Sequence, residues 1–178
     1  MVNYSIVNVV ATASLRQEMD FEKLRRFREI FHDSDVYGGR VAYFKTEQMQ
    51  GKVSIFLSGK MISVGTKSEV QAQKELEMAK GFLVEKGFVS DVVLEPKTQN
   101  IVVSVDFGVP INLEALSQGT RAIYEPEQFP GAILRIKEPF VSSVLVFGSG
   151  KAVLTALKSQ TQIEPTIEKL KEIIESNL

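Results

Sequence analysis

Short β-branched runs alternate along this chain with longer stretches of apolar residues at helical spacing, and the succession occurs twice. Ile6 to Ala13 is apolar and β-branched and predicts a first strand. Asp20 is placed to cap a helix, and Phe21, Leu24, Phe27, Ile30 and Phe31 follow at helical spacing, which predicts a short amphipathic helix over 20–31. Val41 to Phe44, Val53 to Leu57 and Met61 to Val64 read as three strands, with Thr46 to Gly51 and Ser58-Gly59 as turns. A long helix is predicted from Ser68 to Lys86, closed by Gly87. The second half predicts a strand at 100–105, a helix from Asn112, strands at 132–137, 142–148 and 152–156, and a helix to the C-terminus. Pro165 belongs in the first turn of that helix, since an interior proline would break it.

The residues themselves recur. Phe56-Leu57-Ser58-Gly59-Lys60 returns as Phe147-Gly148-Ser149-Gly150-Lys151 at an offset of 91, and Asn8-Val9-Val10 returns as Asn100-Ile101-Val102 at an offset of 92. Asp20-Phe21-Glu22-Lys23-Leu24 matches Asn112-Leu113-Glu114-Ala115-Leu116 in the same register. A solenoid needs three or more short repeats to bury its core, so two long copies point instead to two fused pseudo-symmetric halves. The expectation is an α+β fold of two repeats, residues 1–92 and 93–178, each strand, helix, three strands, helix. Such a protein suits a ligand that is itself roughly two-fold symmetric.

Strand parity adds a surface. Alternate residues of a strand face opposite sides of the sheet, so 54, 56, 62 and 64 share one face, as do 145, 147, 153 and 155. The other face carries Ile55, Leu57 and Met61 in the first half, and Val144, Val146, Ala152 and Leu154 in the second. Both faces are largely apolar, and helices can cover one. Phe56, Ile62, Val64, Leu145, Phe147 and Val153 then form either an exposed binding face or a second buried layer closed by dimerisation.

Composition narrows this only a little. Apolar residues make up 44% of the 178 and charged residues 24%, ordinary values for a globular chain. Having no cysteine excludes disulfides and thiolate metal sites and fits an intracellular protein. No run approaches membrane-spanning length, and the apolar N-terminal run lacks the basic flank of a signal peptide, so no membrane association is expected. The formal charge of −1 shows no basic excess, with 13 Lys and Arg against 12 Asp and Glu in residues 1–92 and 8 against 10 in the remainder. Any basic surface is therefore local. With one histidine, His32, read as a surface residue, no glycine-rich phosphate loop and no carboxylate cluster at metal spacing, an enzyme has little support and no cofactor is implied.

At Tyr124-Glu125-Pro126-Glu127-Gln128-Phe129-Pro130-Gly131, with Ile6-Val7-Asn8-Val9-Val10-Ala11-Thr12, Gln99-Asn100-Ile101-Val102 and the two Phe-x-Ser-Gly-Lys hairpins, the chain resembles the TATA-box-binding protein family in its archaeal form. The resemblance spans nearly the whole chain. It implies a saddle: a curved antiparallel sheet of about ten strands, with four helices on the convex face and the concave face in the DNA minor groove. Asn8 and Asn100 would donate to base acceptors at the pseudo-dyad, with Val10, Val102, Ile62 and Val153 in apolar contact, Val64 and Leu145 beside them, and Thr155 adding a hydroxyl. Phe129, with Pro130, and Phe147 would form one wedge between base steps. Phe56 and Tyr37, the residue standing in place of Phe129, would form the other. Lys60, Lys151 and Arg135 match phosphate-contacting positions. Glu125 and Glu127 match an acidic edge for transcription factor B, through which RNA polymerase is reached indirectly, though as residues they read equally as a solvated loop.

The first repeat departs from this pattern. It has Tyr37-Gly38-Gly39 where Phe-Pro-Gly is expected, Ser54 opposite Leu145, Val64 for Thr155, and Tyr43 where Arg135 predicts an arginine; Asp33 and Asp35 replace the acidic pair. Tyr37 and Phe56 are 19 residues apart and Phe129 and Phe147 18, which places extra residues in the hairpins around Gln48–Gly51 and Phe140–Ser143. The leading expectation is a transcription initiation factor that binds and bends double-stranded TATA-like promoter DNA, located in the cytoplasm with the archaeal nucleoid, or in the nucleus of a eukaryote. The alternative is a divergent paralogue acting chiefly as a protein-interaction adaptor with weak DNA binding.

Overall fold

The structure, a computed structural model, describes residues 2–178. Its elements run β1 (Asn3–Ser14), β2 (Ile30–Phe31), β3 (Val41–Phe44), β4 (Lys52–Phe56), β5 (Lys60–Thr66) and α1 (Glu69–Glu85). They continue as β6 (Lys97–Asp106), α2 (Leu113–Gly119), β7 (Ile123–Tyr124), β8 (Gly131–Ile136), β9 (Ser142–Phe147), β10 (Lys151–Leu157) and α3 (Ile163–Glu175). The ten strands form a sheet in the order β2-β3-β4-β5-β1-β6-β10-β9-β8-β7. By packing, the chain makes two compact units: Asn8–Gln99, and Asn100–Leu178 with the residues up to Val7.

In the Asn8–Gln99 unit, β3, β4 and β5 form an antiparallel meander and β1 pairs antiparallel with β5. The helix α1 starts where Ser68 accepts a hydrogen bond from the Gln71 amide at 3.0 Å, and ends before Gly87, whose φ is 78°. It packs on β4 and β5 through Ala72, Leu76, Ala79 and Leu83, all fully buried. Glu75, also fully buried, turns its carboxylate to the β3–β4 hairpin and accepts from the amides of Gln50 at 3.1 Å and Gly51 at 2.9 Å. The buried charge is thereby matched by donors, the condition under which such burial is tolerated.

The helix expected over 20–31 is not formed. Leu24–Arg26 makes a single 3-10 turn and Ile30–Phe31 is strand β2, so among the described residues there are three α-helices rather than four. The apolar spacing there serves contacts from different elements. Phe21 and Leu24 are buried, Phe27 packs edge-on against Phe82 and Phe88, and Ile30 points inward from β2 while Phe31 points out. A periodicity of 3.6 satisfied by tertiary contacts is indistinguishable in one sequence from helical amphipathicity.

The second unit repeats the meander as β8, β9 and β10, with β6 antiparallel to β10. Asn112 caps α2 by accepting from the Ala115 amide at 3.0 Å, and Pro165 lies in the first turn of α3, as expected. Burial follows the predicted parity in both units except at Leu57, which is expected on the covered face but lies past the end of β4 and is exposed. Val53, Ile55, Met61 and Ser63 are buried, as are Val144, Val146, Ala152 and Leu154, whereas 54, 56, 62, 64, 145, 147, 153 and 155 are all only half-buried. The face bearing the second set is left open in each unit.

Each unit also has one β-bulge at matching positions. Pairing of β1 with β5 slips between Val9 and Ala11, and pairing of β10 with β6 slips between Leu154 and Leu157. The residue that absorbs the slip lies at positive φ, and it is Gly65 (φ 97°) in one unit and Ala156 (φ 68°) in the other. A Cβ in the left-handed region costs about 1–2 kcal/mol, partly offset by the unfolded-chain entropy that glycine adds. Ala156→Gly is expected to raise unfolding stability by about 0.5–1 kcal/mol in denaturant titration. A loss of stability instead would show that the alanine methyl packs favourably enough to outweigh its backbone strain.

Candidate functional site

The bulges explain where the two duplicated asparagines point. Asn8 on β1 accepts, through Oδ1, a hydrogen bond from the Gly65 amide at 2.7 Å, and Asn100 on β6 accepts from the Ala156 amide at 2.8 Å. A β-bulge frees a backbone N–H from its ladder, and here a side-chain carbonyl takes it. With Oδ1 so engaged, the amide orientation is fixed and each Nδ2 is turned away from the bulge as a donor. Both asparagines lie on the open face of their units. Val10 and Thr12 follow Asn8 on that face, and Val102 and Ser104 follow Asn100, while Val9, Ala11, Ile101 and Val103 point into the core.

Across the open face of the second unit, Val153 pairs with Leu145, and Leu145 with Ile133. The Thr155 hydroxyl, half-buried on this face, donates to the Ser143 carbonyl at 3.1 Å. At the end of β9, Phe147 meets Phe129, with ring centroids 5.9 Å apart and planes at 63°. The loop that delivers Phe129 is a turn closed on the Glu125 carbonyl, which accepts from the amides of Gln128 at 2.9 Å and Phe129 at 3.0 Å. Gly131 lies directly beneath the rings: a Cβ there would stand 2.8 Å from the Phe129 ring and 3.1 Å from the Phe147 ring. Phe129, Pro130, Phe147 and the exposed Glu125 and Glu127 are thus brought to one end of this unit.

The matching end of the first unit is built differently. Phe56 is half-buried and pairs in register with Val41, but among the described residues no aromatic ring packs against it. Tyr37 is 73% exposed and opens a 3-10 turn in which Tyr37, Gly38 and Gly39 all have positive φ. Cross-strand partners locate the cause. Phe31 pairs with Tyr43 twelve residues on, whereas Ile123 pairs with Ile133 ten residues on. The additional length therefore lies between β2 and β3, not in the Gln48–Gly51 hairpin, which is one residue shorter than its counterpart.

The same register corrects one expected correspondence. Tyr43 matches Ile133, and Arg135 matches Lys45, one residue past the Phe44–Val53 pair. The Lys45 ammonium, however, donates to the carbonyls of Gln50 at 3.3 Å and Gly51 at 2.6 Å within its own hairpin. His32, expected at the surface without a partner, is half-buried; its Nε2 lies 2.8 Å from the Gly39 carbonyl and its ring packs on Phe21. Lys60, Lys151 and Arg135 are exposed, as phosphate contacts would need to be, and Ile62 and Val64 line the open face opposite Ser54 and Lys52. Sequence reasoning puts Phe31 in a helix, takes Tyr43 for the counterpart of Arg135 and leaves Lys52 unassigned, whereas cross-strand pairing puts all three on that face; the helical spacing around Phe31 obscures its place in an edge strand.

Open-face positions on β1, β3, β4 and β5 of the first unit carry no carboxylate, and in the second unit Asp106 stands opposite Lys151. Among the described residues no group of His, Asp and Glu is placed to hold a metal ion, and no helix is long and apolar enough to cross a membrane. The fold itself defines a class: a duplicated antiparallel meander with one covered face and one open face per unit.

Comparison with known proteins gives that class its family. The model of "Transcription factor TFIID (or TATA-binding protein, TBP)" matches residues 3–83 and 95–177, so both halves are recognised. A TATA-box-binding protein of Cenarchaeum symbiosum is 40% identical over 159 residues, covering 89% of this chain and 86% of that one. One from Methanopyrus kandleri is 35% identical, covering 96% and 95%. The solved structure of Methanococcus jannaschii TBP superposes with a TM-score of 0.84 at 29% identity over 99% of each chain. The chain belongs to the TATA-binding protein family and has its fold.

The Phe129–Phe147 pair depends on the bare backbone at Gly131. Gly131→Ala should displace one ring and lower unfolding stability by about 1–3 kcal/mol, the usual range for an overpacked site. Denaturant titration with aromatic proton chemical shifts checks both effects; unchanged shifts at full stability would show that the rings accommodate a methyl without moving.

Proposed function

We propose that this protein is a transcription initiation factor that binds A·T-rich, TATA-like promoter DNA in the minor groove, each repeat, residues 1–92 and 93–178, engaging half of the site. The observation that carries the reading is the asparagine pair. Each Oδ1 is committed to the chain's own bulge, so each Nδ2 is a donor on an open apolar face. The floor of the minor groove at A·T pairs presents only acceptors, adenine N3 and thymine O2, whereas a G·C pair adds an amine that would oppose such a donor. Val10, Val102, Ile62, Val64, Leu145 and Val153 then pack on the groove, Thr155 adds a hydroxyl, and Lys60, Lys151 and Arg135 meet phosphates. Minor-groove architectural proteins, this family among them, insert apolar side chains between base steps and kink the duplex. Phe129 with Pro130 and Phe147 supplies such a wedge in the second repeat; Phe56 and Tyr37 supply a weaker one in the first, because the Tyr37 hydroxyl resists dry insertion and its loop must be ordered. The protein acts by binding and bending, without catalysis.

The exposed turn of Glu125 and Glu127 is the contact for transcription factor B, a basic partner through which RNA polymerase is recruited. The adaptor reading keeps this contact and discards the first; the missing ring partner of Phe56 is the observation in its favour.

Gel shift and end-to-end fluorescence transfer on A·T-rich and G·C-rich duplexes separate the two readings. Asn100→Asp keeps an oxygen for the Ala156 amide but replaces the outward donor with an acceptor. It should fold normally and bind A·T-rich DNA about 1–3 kcal/mol more weakly. On the same duplex Phe129→Ala should reduce bending more than Tyr37→Ala. Equal binding of both duplexes by the wild type, or an unaffected Asn100→Asp variant, sinks the minor-groove reading.

A charge reversal tests the partner edge. Glu127→Arg should abolish recruitment of transcription factor B onto preformed DNA complexes while binary DNA binding stays within about 0.5 kcal/mol of wild type, as for a surface substitution away from the contact. Undiminished recruitment returns Glu125 and Glu127 to a solvated loop.

A further inference from the structure

The open face of the Asn8–Gln99 unit continues past the residues assigned above to a feature its counterpart lacks. One unbroken cross-strand row runs Thr12, Ile62, Ser54, Tyr43, Phe31, from β1 to the edge strand β2. The matching row of the other unit reads Ser104, Val153, Leu145, Ile133, Ile123, and holds no ring. At the outer end of the first row the Phe31 and Tyr43 rings lie 6.2 Å apart, and Phe31 is 61% exposed despite its size. The Lys52 ammonium sits 4.4 Å from the centre of the Tyr43 ring. An open groove of about 570 Å³ borders them, lined by Arg28, Glu29, Phe31, Val36, Tyr43, Lys45 and Lys52, three cations against one carboxylate. That carboxylate, on Glu29, is 3.9 Å from Arg28, whose side chain is 92% exposed; such a pair holds neither group firmly. Among the described residues no carboxylate pairs with Lys45 or Lys52.

We propose that Phe31, Tyr43 and Lys52, with Arg28 and Lys45 beside them, form an additional DNA-contact site for the sugar–phosphate backbone of the duplex flanking the central contacts. The proposal rests on the minor-groove reading and extends it. Surface rings interleaved with cations are the combination that holds nucleic acid, the rings against sugar or base and the cations against phosphate. Of the cations here, Lys45 is hydrogen-bonded to its own hairpin carbonyls, and Lys52 lies over a ring with no carboxylate partner among the described residues. Continuity fixes the occupant. The site lies on the same face as Asn8 and Ile62, four strand spacings or ~19 Å from β1, within reach of a duplex that lies along this face. It also supplies, at the outer end of the unit in which no ring among the described residues packs against Phe56, grip of another kind.

The test uses the full chain on a duplex whose A·T-rich site has long flanks at both ends, and on one truncated at the site. Lys52→Gln should shorten the hydroxyl-radical footprint at one end only. It should lower the slope of log affinity against log salt by ~0.9 and weaken binding of the flanked duplex ~8-fold at 0.1 M salt, the expectation for one lost phosphate contact. On the truncated duplex it should bind as wild type does. Lys52→Arg should restore the slope, and Phe31→Ala should lose the end protection while keeping the slope. If wild type is bound and bent but Lys52→Gln changes neither footprint nor slope, this site is overturned while the minor-groove reading stands. If poly-glutamate binds wild type and not Lys52→Gln with the footprint unchanged, the groove belongs to an acidic protein segment and the proposal is overturned. If wild type fails to bind A·T-rich DNA at all, both readings fall together.

Discussion

Each unit of this protein has more apolar sheet surface than it has helix to cover it. Both parities of the central strands are apolar, and the helices of a unit form a single layer, so one face is sealed and the other is left half-exposed. An antiparallel sheet tolerates this when the open face has a role, because apolar area that stays in water gains nothing from folding. The arrangement of the rest follows. Asparagines, hydroxyls and lysines are distributed on the open face and its rims, and the buried carboxylate of Glu75 is kept on the covered side with its donors.

The bulges turn that face into a directed one. A regular ladder would have used every backbone amide of β5 and β10, and an asparagine opposite would have been free to present either end of its amide. By slipping one register step, each strand releases a single N–H that captures Oδ1 of Asn8 or Asn100 and leaves the donor outward. One hydrogen bond thus satisfies the freed backbone amide and fixes which end of the side-chain amide faces out. Removing either side chain would leave that amide without its acceptor, so a change at Asn100 must keep the oxygen if the outward donor is to be altered without a cost in stability.

The two units are copies that have diverged at their outer ends. The first unit has two additional residues between β2 and β3, and among the described residues the ring pair made by Phe129 and Phe147 has no equivalent there. At its outer end the first unit has instead a tilted pair of rings, Phe31 and Tyr43, with the Lys52 ammonium over the Tyr43 ring. The duplication is therefore not strict, and the outer ends of the two units present unlike surfaces.

The internal repeat, the strand parity, the long helix with its Ser68 and Gly87 ends and the pairing of the two asparagines were all present in the order of residues, because each depends on neighbours within a few positions or on a fixed offset. Family membership was likewise carried by contiguous motifs such as Tyr124 to Gly131. Contacts between distant segments decided the remainder. The spacing of Phe21, Leu24, Phe27, Ile30 and Phe31 fits a helix as well as it fits a turn and an edge strand, and only burial against Phe82 and Phe88 and pairing with β3 selected the latter. Tyr43 and Arg135 looked equivalent until hydrogen-bond register set Lys45 against Arg135. Which end of an asparagine amide faces out is likewise a question about a backbone group fifty-seven residues away, and local sequence carries no trace of it.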